Sequence, residues 1–300
     1  MAKLKFFNIC AFSLVVGILA PTLAQSASKL GPQSAENTPD RRQDWLVPTQ
    51  DQITDSHAIL FRPQGKGPFR LAIIAHASTQ NAIRRAQTPQ SEYRALAATL
   101  VARGFAVLVP ERPGHGKTGG PYLEDQGGCD DPDYQLSAES TAESISAALT
   151  FMRAQPFVRK DTAIVVGHSA GGWGALALAD ENPKDIAAII VFAPGRGGHV
   201  NDRPGQVCAP DKLIAAAASL GAEAKVPVTW LVAENDSYFS PELSRHMANT
   251  FRGAGSDKVD FQVLPAFGNE GHFFAEAASV SDFDVLLDNA LKISTTAAKR

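Results

Sequence analysis

The chain has 300 residues, of which 44% are hydrophobic and 20% charged, with a formal net charge of -3. That balance describes a globular chain with apolar material for one substantial core and excludes a disordered or fibrous one. It carries no basic stripe and no aromatic–basic interleaving to grip a phosphate backbone, so nucleic acid is not expected as a partner.

Lys3 and Lys5 precede an almost wholly apolar run from Phe6 to Ala20, and small residues follow around Thr22-Leu23-Ala24. That order predicts a signal peptide over 1–24, with the mature chain starting near Gln25. The run is short for a bilayer span of about 20 residues and Pro21 breaks it, so no stable membrane insertion is expected once the signal is removed. No twin arginine precedes it, and Cys10 lacks small residues before it, which favours general secretion to a periplasm or the exterior over lipoprotein anchoring. Residues 25–44 lack periodicity and read as a flexible, poorly ordered leader, leaving 45–300 as a single folded domain. Of the three cysteines, removal of the signal leaves Cys129 and Cys208. In an oxidising compartment these predict a disulfide, two separate thiols being the alternative.

Strand and helix signals then alternate. Ser56–Arg62 reads as an early strand, Phe69–His76 as a buried one, and Ser91–Arg103 as a helix stopped by Gly104. Phe105–Pro110 is the next strand, followed by a Gly- and Pro-rich loop to Tyr134 and a helix over Glu139–Gln155. Thr162–His168 reads as a strand, Gly172–Asp180 as a helix, Ile186–Ala193 as a strand and Asp211–Leu220 as a helix. Val226–Ala233 and Val259–Leu264 are strands on either side of a helix over Pro241–Phe251, and Ser281–Ile293 is the last helix. The alternation predicts an α/β fold: a mostly parallel, eight-stranded-type sheet with helices on both faces. The stretch from Pro194 to Lys225 has room for one helix only, which predicts a minimal lid and an open site. The loop after Pro110 is the alternative lid.

The strand over Thr162–His168 runs into Gly167-His168-Ser169-Ala170-Gly171-Gly172. A serine hydroxyl is a poor nucleophile at neutral pH and must stand clear of the backbone beside a base, with donors ready for the oxyanion. A sharp strand-to-helix turn does this if its neighbours are small, as Gly167 and Gly171 are. Ser169 is therefore the candidate nucleophile. In a sheet of this class the acid and the histidine follow in chain order from the ends of later strands. Glu234-Asn235-Asp236 follows the strand over Val226–Ala233, and Asp236 is the expected acid, with Glu234 the alternative. His272, in a glycine-flanked loop after Val259–Leu264, is the expected base, with Glu270 a fallback partner for it.

An oxyanion needs two N–H donors, one from the residue after the nucleophile, here Ala170. The second is expected from His76-Ala77-Ser78-Thr79, at the end of the buried strand. The amide of Ser78 is the first choice, with Ala77 and Thr79 as alternatives, and His76 reads as a structural hydrogen bonder under that loop. His115, in the loop after Pro110, is expected to be structural, and His199 to line the pocket. The acidic cluster Cys129-Asp130-Asp131-Pro132-Asp133 lacks the ligand spacing of a calcium loop. His57, His168 and His246 show no metal spacing, so neither metal nor cofactor is expected.

Gly-His-Ser-Ala-Gly-Gly, Ala-Glu-Asn-Asp-Ser-Tyr-Phe and Glu-Gly-His-Phe-Phe resemble the nucleophile, acid and histidine motifs of the α/β-hydrolase superfamily. The resemblance spans about Ile53 to Ile293 and is closest to dienelactone-hydrolase-like and prolyl-oligopeptidase-like serine hydrolases. It implies the fold and an acyl-transfer reaction on a small-molecule ester through an acyl-enzyme. A peptidase of the prolyl-oligopeptidase type and a non-catalytic binding module on the same fold are the alternatives.

Overall fold

Runs such as Leu71-Ala72-Ile73-Ile74-Ala75 and Ile189-Ile190-Val191 have no polar face, and each forms a strand covered on both sides. The computed structural model describes Met1 and residues 29–181, 183–255 and 258–297, so the signal peptide expected over 1–24 lies, apart from Met1, outside the described residues. Nine strands form one sheet: β1 Gly31–Pro32, β2 Gln43–Pro48, β3 Asp55–Phe61, β4 Arg70–Ala75, β5 Phe105–Pro110, β6 Ala163–His168, β7 Ile186–Phe192, β8 Val228–Ala233 and β9 Val259–Leu264. The helices are α1 Ala82–Gln87, α2 Arg94–Ala102, α3 Tyr134–Arg153, α4 Ala170–Asp180, α5 Pro210–Gly221, α6 Pro241–Gly253, α7 Phe274–Ala277 and α8 Val280–Ala297.

The sheet order is β1-β2-β3-β5-β4-β6-β7-β8-β9. β1 to β3 pair antiparallel, β3 pairs antiparallel with β5, and every later pair is parallel. Alternate side chains of the parallel strands feed two separate cores. Ile73, Val165 and Ile189 face one core with α3 to α6, whereas Ile74, Val166 and Ile190 face the other with α2, α7 and α8. The chain adds β5 on one side of β4 and β6 on the other, so the carboxyl ends of β4 and β6 open at the point where winding reverses. Ligand crevices in such sheets form there.

The expected strand and helix alternation is present, with three departures. The segment read as a poorly ordered leader contributes β1 and the start of β2, because Trp45 and Val47 are buried against the main core while β2 pairs with β3. The helix expected from Glu139 starts at Tyr134, where the Asp133 carboxylate accepts the Leu136 amide at 2.9 Å as an N-cap. Helices α1 and α7 were not expected; α7 is a single turn in the stretch read as the loop after Val259–Leu264. Helix α1 follows the His76 to Thr79 loop. It is a short turn capped by Asn81, whose side chain accepts the Arg84 amide at 3.0 Å. Between β7 and β8 lie only a short 3-10 turn, Val200–Asp202, and α5, in keeping with a minimal lid. Cys129 and Cys208 form a disulfide, with Cα atoms 5.0 Å apart.

Helix α4 leaves the sheet centre with almost no side chains along one flank, and α3 packs directly on it. A methyl group on Gly174 would sit 2.2 Å from Thr141 Cγ2. Gly174→Ala is therefore expected to lower stability in urea unfolding by about 1 to 3 kcal/mol through overpacking, despite alanine's helix preference of about 1 kcal/mol. A neutral or stabilised variant would contradict that close approach.

Candidate active site

Ser169 joins β6 to α4 with φ 53° and ψ -118°, a backbone strained for any residue with a Cβ. The turn is possible only because its neighbours lack side chains. A Cβ on Gly171 would lie 2.1 Å from the Ala75 carbonyl oxygen, and one on Gly167 would lie 2.5 Å from Gly172 Cα. The Ser169 amide donates to the Phe192 carbonyl at 2.9 Å, and its own carbonyl accepts the Trp173 and Gly195 amides. The elbow is thus tied to β7 and to the loop that follows it.

Asp236 follows β8 and His272 lies in a 3-10 turn, Gly271–Phe273, after β9. His272 Nδ1 and Asp236 Oδ2 are 3.1 Å apart, and both residues are buried. The other carboxylate oxygen, Oδ1, accepts the Tyr238 and Phe239 amides at 2.8 Å each, which fixes the carboxylate plane. Glu234, the alternative acid, is exposed. Glu270 does not reach the imidazole of His272. It accepts the His272 amide at 3.0 Å, the Ser237 amide and the Ser237 hydroxyl, and so braces the turn. Asn235 clasps the same turns, accepting the Phe267 amide and donating to the Phe267 and Gly268 carbonyls.

Burial pushes the His272 imidazole below its ordinary pKa, and nearby His168 adds to this, although the hydrogen bond and charge of Asp236 oppose it. Tyr238 lies stacked between this ring and a second imidazole. Its centroid is 4.1 Å from that of His272, and His199 stacks on the far face of Tyr238 at 3.5 Å. His199 is therefore one ring away from the cavity wall where it was expected, and its Nε2 lies 2.8 Å from the Ser237 hydroxyl. Tyr238 falls within the motif quoted for the acid, but nothing in that motif gave it a role of its own.

Ser169, Ala170, His272 and the loop His76 to Thr79 line one cavity of about 330 Å³. Within that loop the Ala77 amide is taken by the Tyr93 hydroxyl at 3.1 Å. The loop is pinned from below: the Arg112 amide donates to His76 Nε2 at 3.0 Å, and Arg112 Nη1 donates to the His76 carbonyl at 2.7 Å. The Ser78 hydroxyl lies 2.7 Å from His115 Nε2. Burial, with a contribution from Arg112, pushes His115 down to about 4, so its ring is neutral near pH 7 even though Glu124 draws it the other way.

The floor of the site is a buried ion cluster that composition did not reveal. Glu124 receives Arg112 Nε at 3.0 Å and Arg196 Nη2 at 2.5 Å, and all three side chains are nearly inaccessible. Burial alone would raise the Glu124 pKa, but the two guanidinium groups hold it well below the carboxylate range. Arg196 also donates to the Tyr122 hydroxyl at 2.9 Å, and Arg85 lies over the Tyr122 ring at 3.4 Å. Through Thr141, whose hydroxyl donates to Glu124 and accepts from Arg196, the cluster joins the loop after β5, the loop after β7 and α3. Among the described residues no group of three or more His, Cys, Asp or Glu could hold a metal ion, and no helix is long and apolar enough to cross a membrane.

A wound α/β sheet with a glycine-flanked elbow serine at its reversal point defines a class of hydrolase fold. The profile of the alpha/beta hydrolase family matches residues 72–284, and the chain belongs to that family. Solved structures share the architecture at low identity. An esterase of Pyrococcus furiosus, Pf2001, is 15% identical, covers 88% of this chain and 98% of its own, and superposes with a TM-score of 0.57. A predicted CIB-like hydrolase from Thermoplasma acidophilum is 14% identical over 84% of this chain and 99% of its own, with a TM-score of 0.56. Naproxen esterase (carboxylesterase NP) from Bacillus subtilis is 10% identical over 84% and 92%, also at 0.56. No curated protein sequence matches the chain. The expected fold class is the one observed, with β1 added at the sheet edge.

Glu124→Gln removes the countercharge of two buried arginines. It is expected to cost about 3 to 5 kcal/mol in urea unfolding, the usual penalty for stranding a buried charge. A loss below about 1 kcal/mol would show that the cluster is not what holds the floor.

Proposed function

We propose that the chain is a serine hydrolase that cleaves carboxylic esters through an acyl-enzyme. The observation that carries this reading is the buried Asp236–His272 pair at 3.1 Å, opening on the same cavity as the elbow serine. His272 Nδ1 donates to Asp236, which leaves Nε2 bare to take the Ser169 proton as the serine oxygen attacks the substrate carbonyl. The tetrahedral oxyanion is held by the amides of Ala170 and Ser78. Two features favour this pair. Ala170 is the first residue of α4, where amides are free of helical partners, and the Ala77 amide is already occupied by Tyr93. Collapse of the intermediate expels the alcohol, which takes its proton from His272. Water, deprotonated by His272, then releases the acid.

A cavity of about 330 Å³ suits a small ester. The esterase neighbours favour the same bond type, and nothing beyond the single domain is present among the described residues to select peptides. The amino-terminal signal pattern, together with the Cys129–Cys208 disulfide, supports export to a periplasm or the exterior.

The test is hydrolysis of p-nitrophenyl esters from acetate to octanoate by the unaltered protein, Ser169→Ala, His272→Ala and Asp236→Asn. Loss of kcat by about 10⁶-fold is expected for Ser169→Ala and His272→Ala and about 10⁴-fold for Asp236→Asn. Full activity in Ser169→Ala would end the serine reading, and inertness of the unaltered protein to every ester would shift the reading to peptides or binding.

The direction of the His272 shift sets the pH dependence. The imidazole must be neutral to accept a proton, and its pKa is lowered. Activity is thus expected to persist on acidification past the ordinary histidine value of about 6.5, with the acid limb of kcat/KM below it. An acid limb centred above 7 would contradict the burial of the base.

A further inference from the structure

One hydroxyl behind the cavity contacts the His76 to Thr79 loop, the residue before the elbow serine and helix α7, which follows the His272 turn. Tyr93 precedes α2 in a left-handed conformation, φ 49° and ψ 43°, and gives that helix no side-chain cap. A tyrosine pays in strain for such a backbone, here while its ring is 3% exposed and turned inward. Its oxygen accepts the Ala77 amide at 3.1 Å, lies 3.1 Å from His168 Nδ1 and donates to Glu276 Oε1 at 3.3 Å. His168 immediately precedes Ser169, and its Nε2 donates to the backbone carbonyl of His272 at 2.8 Å. A carbonyl only accepts, so Nε2 carries a proton and the direction of that bond is fixed.

We propose that Tyr93 is a positioning residue for the oxyanion hole: by engaging the Ala77 amide it turns that N–H away from the site and sets the Ser78 amide towards it. Ala77 does not have a positive φ, so its turn needs no glycine there, and the orientation of its amide is fixed by the bond to Tyr93. Burial keeps the phenol protonated far above its ordinary range, so it can donate and accept at once. Glu276 supplies the outer anchor. Burial alone would raise its pKa, but the hydrogen bond and charge of His168 and the bond from Tyr93 keep it ionised. Through His168 the same hydroxyl is coupled to the backbone of the residue proposed as the base. The oxyanion loop, the elbow and the histidine turn are thereby held in one register by Tyr93 and His168 behind the cavity, with Glu276 on its wall.

This proposal rests on the ester-hydrolase reading, and its test separates the two. Tyr93→Phe keeps the ring and removes only the hydroxyl. Its kcat/KM is expected to fall by about 10- to 100-fold through kcat, short of the roughly 10²- to 10³-fold cost of losing a donor outright, with KM nearly unchanged. Inhibition by phenylboronic acid, whose tetrahedral adduct with the serine places an oxygen in the hole, should weaken by the same factor. Glu276→Gln, which loosens the acceptor and keeps the tyrosine, should repeat this parallel loss at smaller amplitude, and it carries the test if Tyr93→Phe does not fold. Unchanged kcat/KM, a raised KM at constant kcat, or boronate inhibition that does not follow kcat/KM would each overturn the positioning role while leaving the ester-hydrolase reading intact. An unaltered protein inert to esters would remove both.

Discussion

Everything at the centre of this molecule depends on how closely two pieces of backbone approach behind Ser169. The strand end at Ala75 and the first turn of α4 are separated by less than a side chain, because Gly171 presents no Cβ to the Ala75 carbonyl. That contact lets the serine occupy a conformation no strand or helix would give it. It also fixes the distance between the elbow and the His76 to Thr79 loop, which leaves the same strand. The proposed nucleophile and the proposed oxyanion donors are therefore set by one steric constraint, at the position where the order of winding reverses and the loops part.

A site so constructed needs a floor that does not relax, and here the floor is electrostatic. Two arginines from separate loops share one carboxylate without access to water. Such clusters contribute little net stability compared with apolar packing, but they tolerate few alternative arrangements. Arg112 converts this rigidity into position, since its backbone and side chain both hold His76. The neutral ring of His115 continues the same support up to the Ser78 hydroxyl.

The parallel half of the fold was legible because its signals are local. Unbroken β-branched runs, helices of ordinary length and a glycine-flanked serine each occur within a short window, and chain order then pointed to Glu234-Asn235-Asp236 for the acid and to His272 for the base. Burial separates Asp236 from exposed Glu234, and hydrogen bonding to its own turn occupies Glu270. The rest depended on distant neighbours. β2 alternates over only six residues in a polar setting, and its order comes from pairing with β3. Tyr93, Glu124, Arg196 and Glu276 are scattered along the chain with nothing in their flanks to mark them, and their roles arise from contacts that span 72 and 183 residues. Tyr238 lay inside a motif already noted, yet a tyrosine there reads as ordinary packing until the stack on His272 is seen.

The disulfide between Cys129 and Cys208 joins the loop after β5 to the loop after β7, the two walls that also carry His115 and Arg196. The Cys208 amide donates to the Gly197 carbonyl at 2.8 Å, one residue from Arg196, so the bridge and the ion cluster grip the same short stretch. Opposing walls that are covalently joined cannot act as jaws. These two loops are tied to each other by the bridge and by the ion cluster, so any change in the width of the entrance falls to the rest of its rim, the segment from His76 to Ser91 and the turns that carry Tyr238 and Phe273.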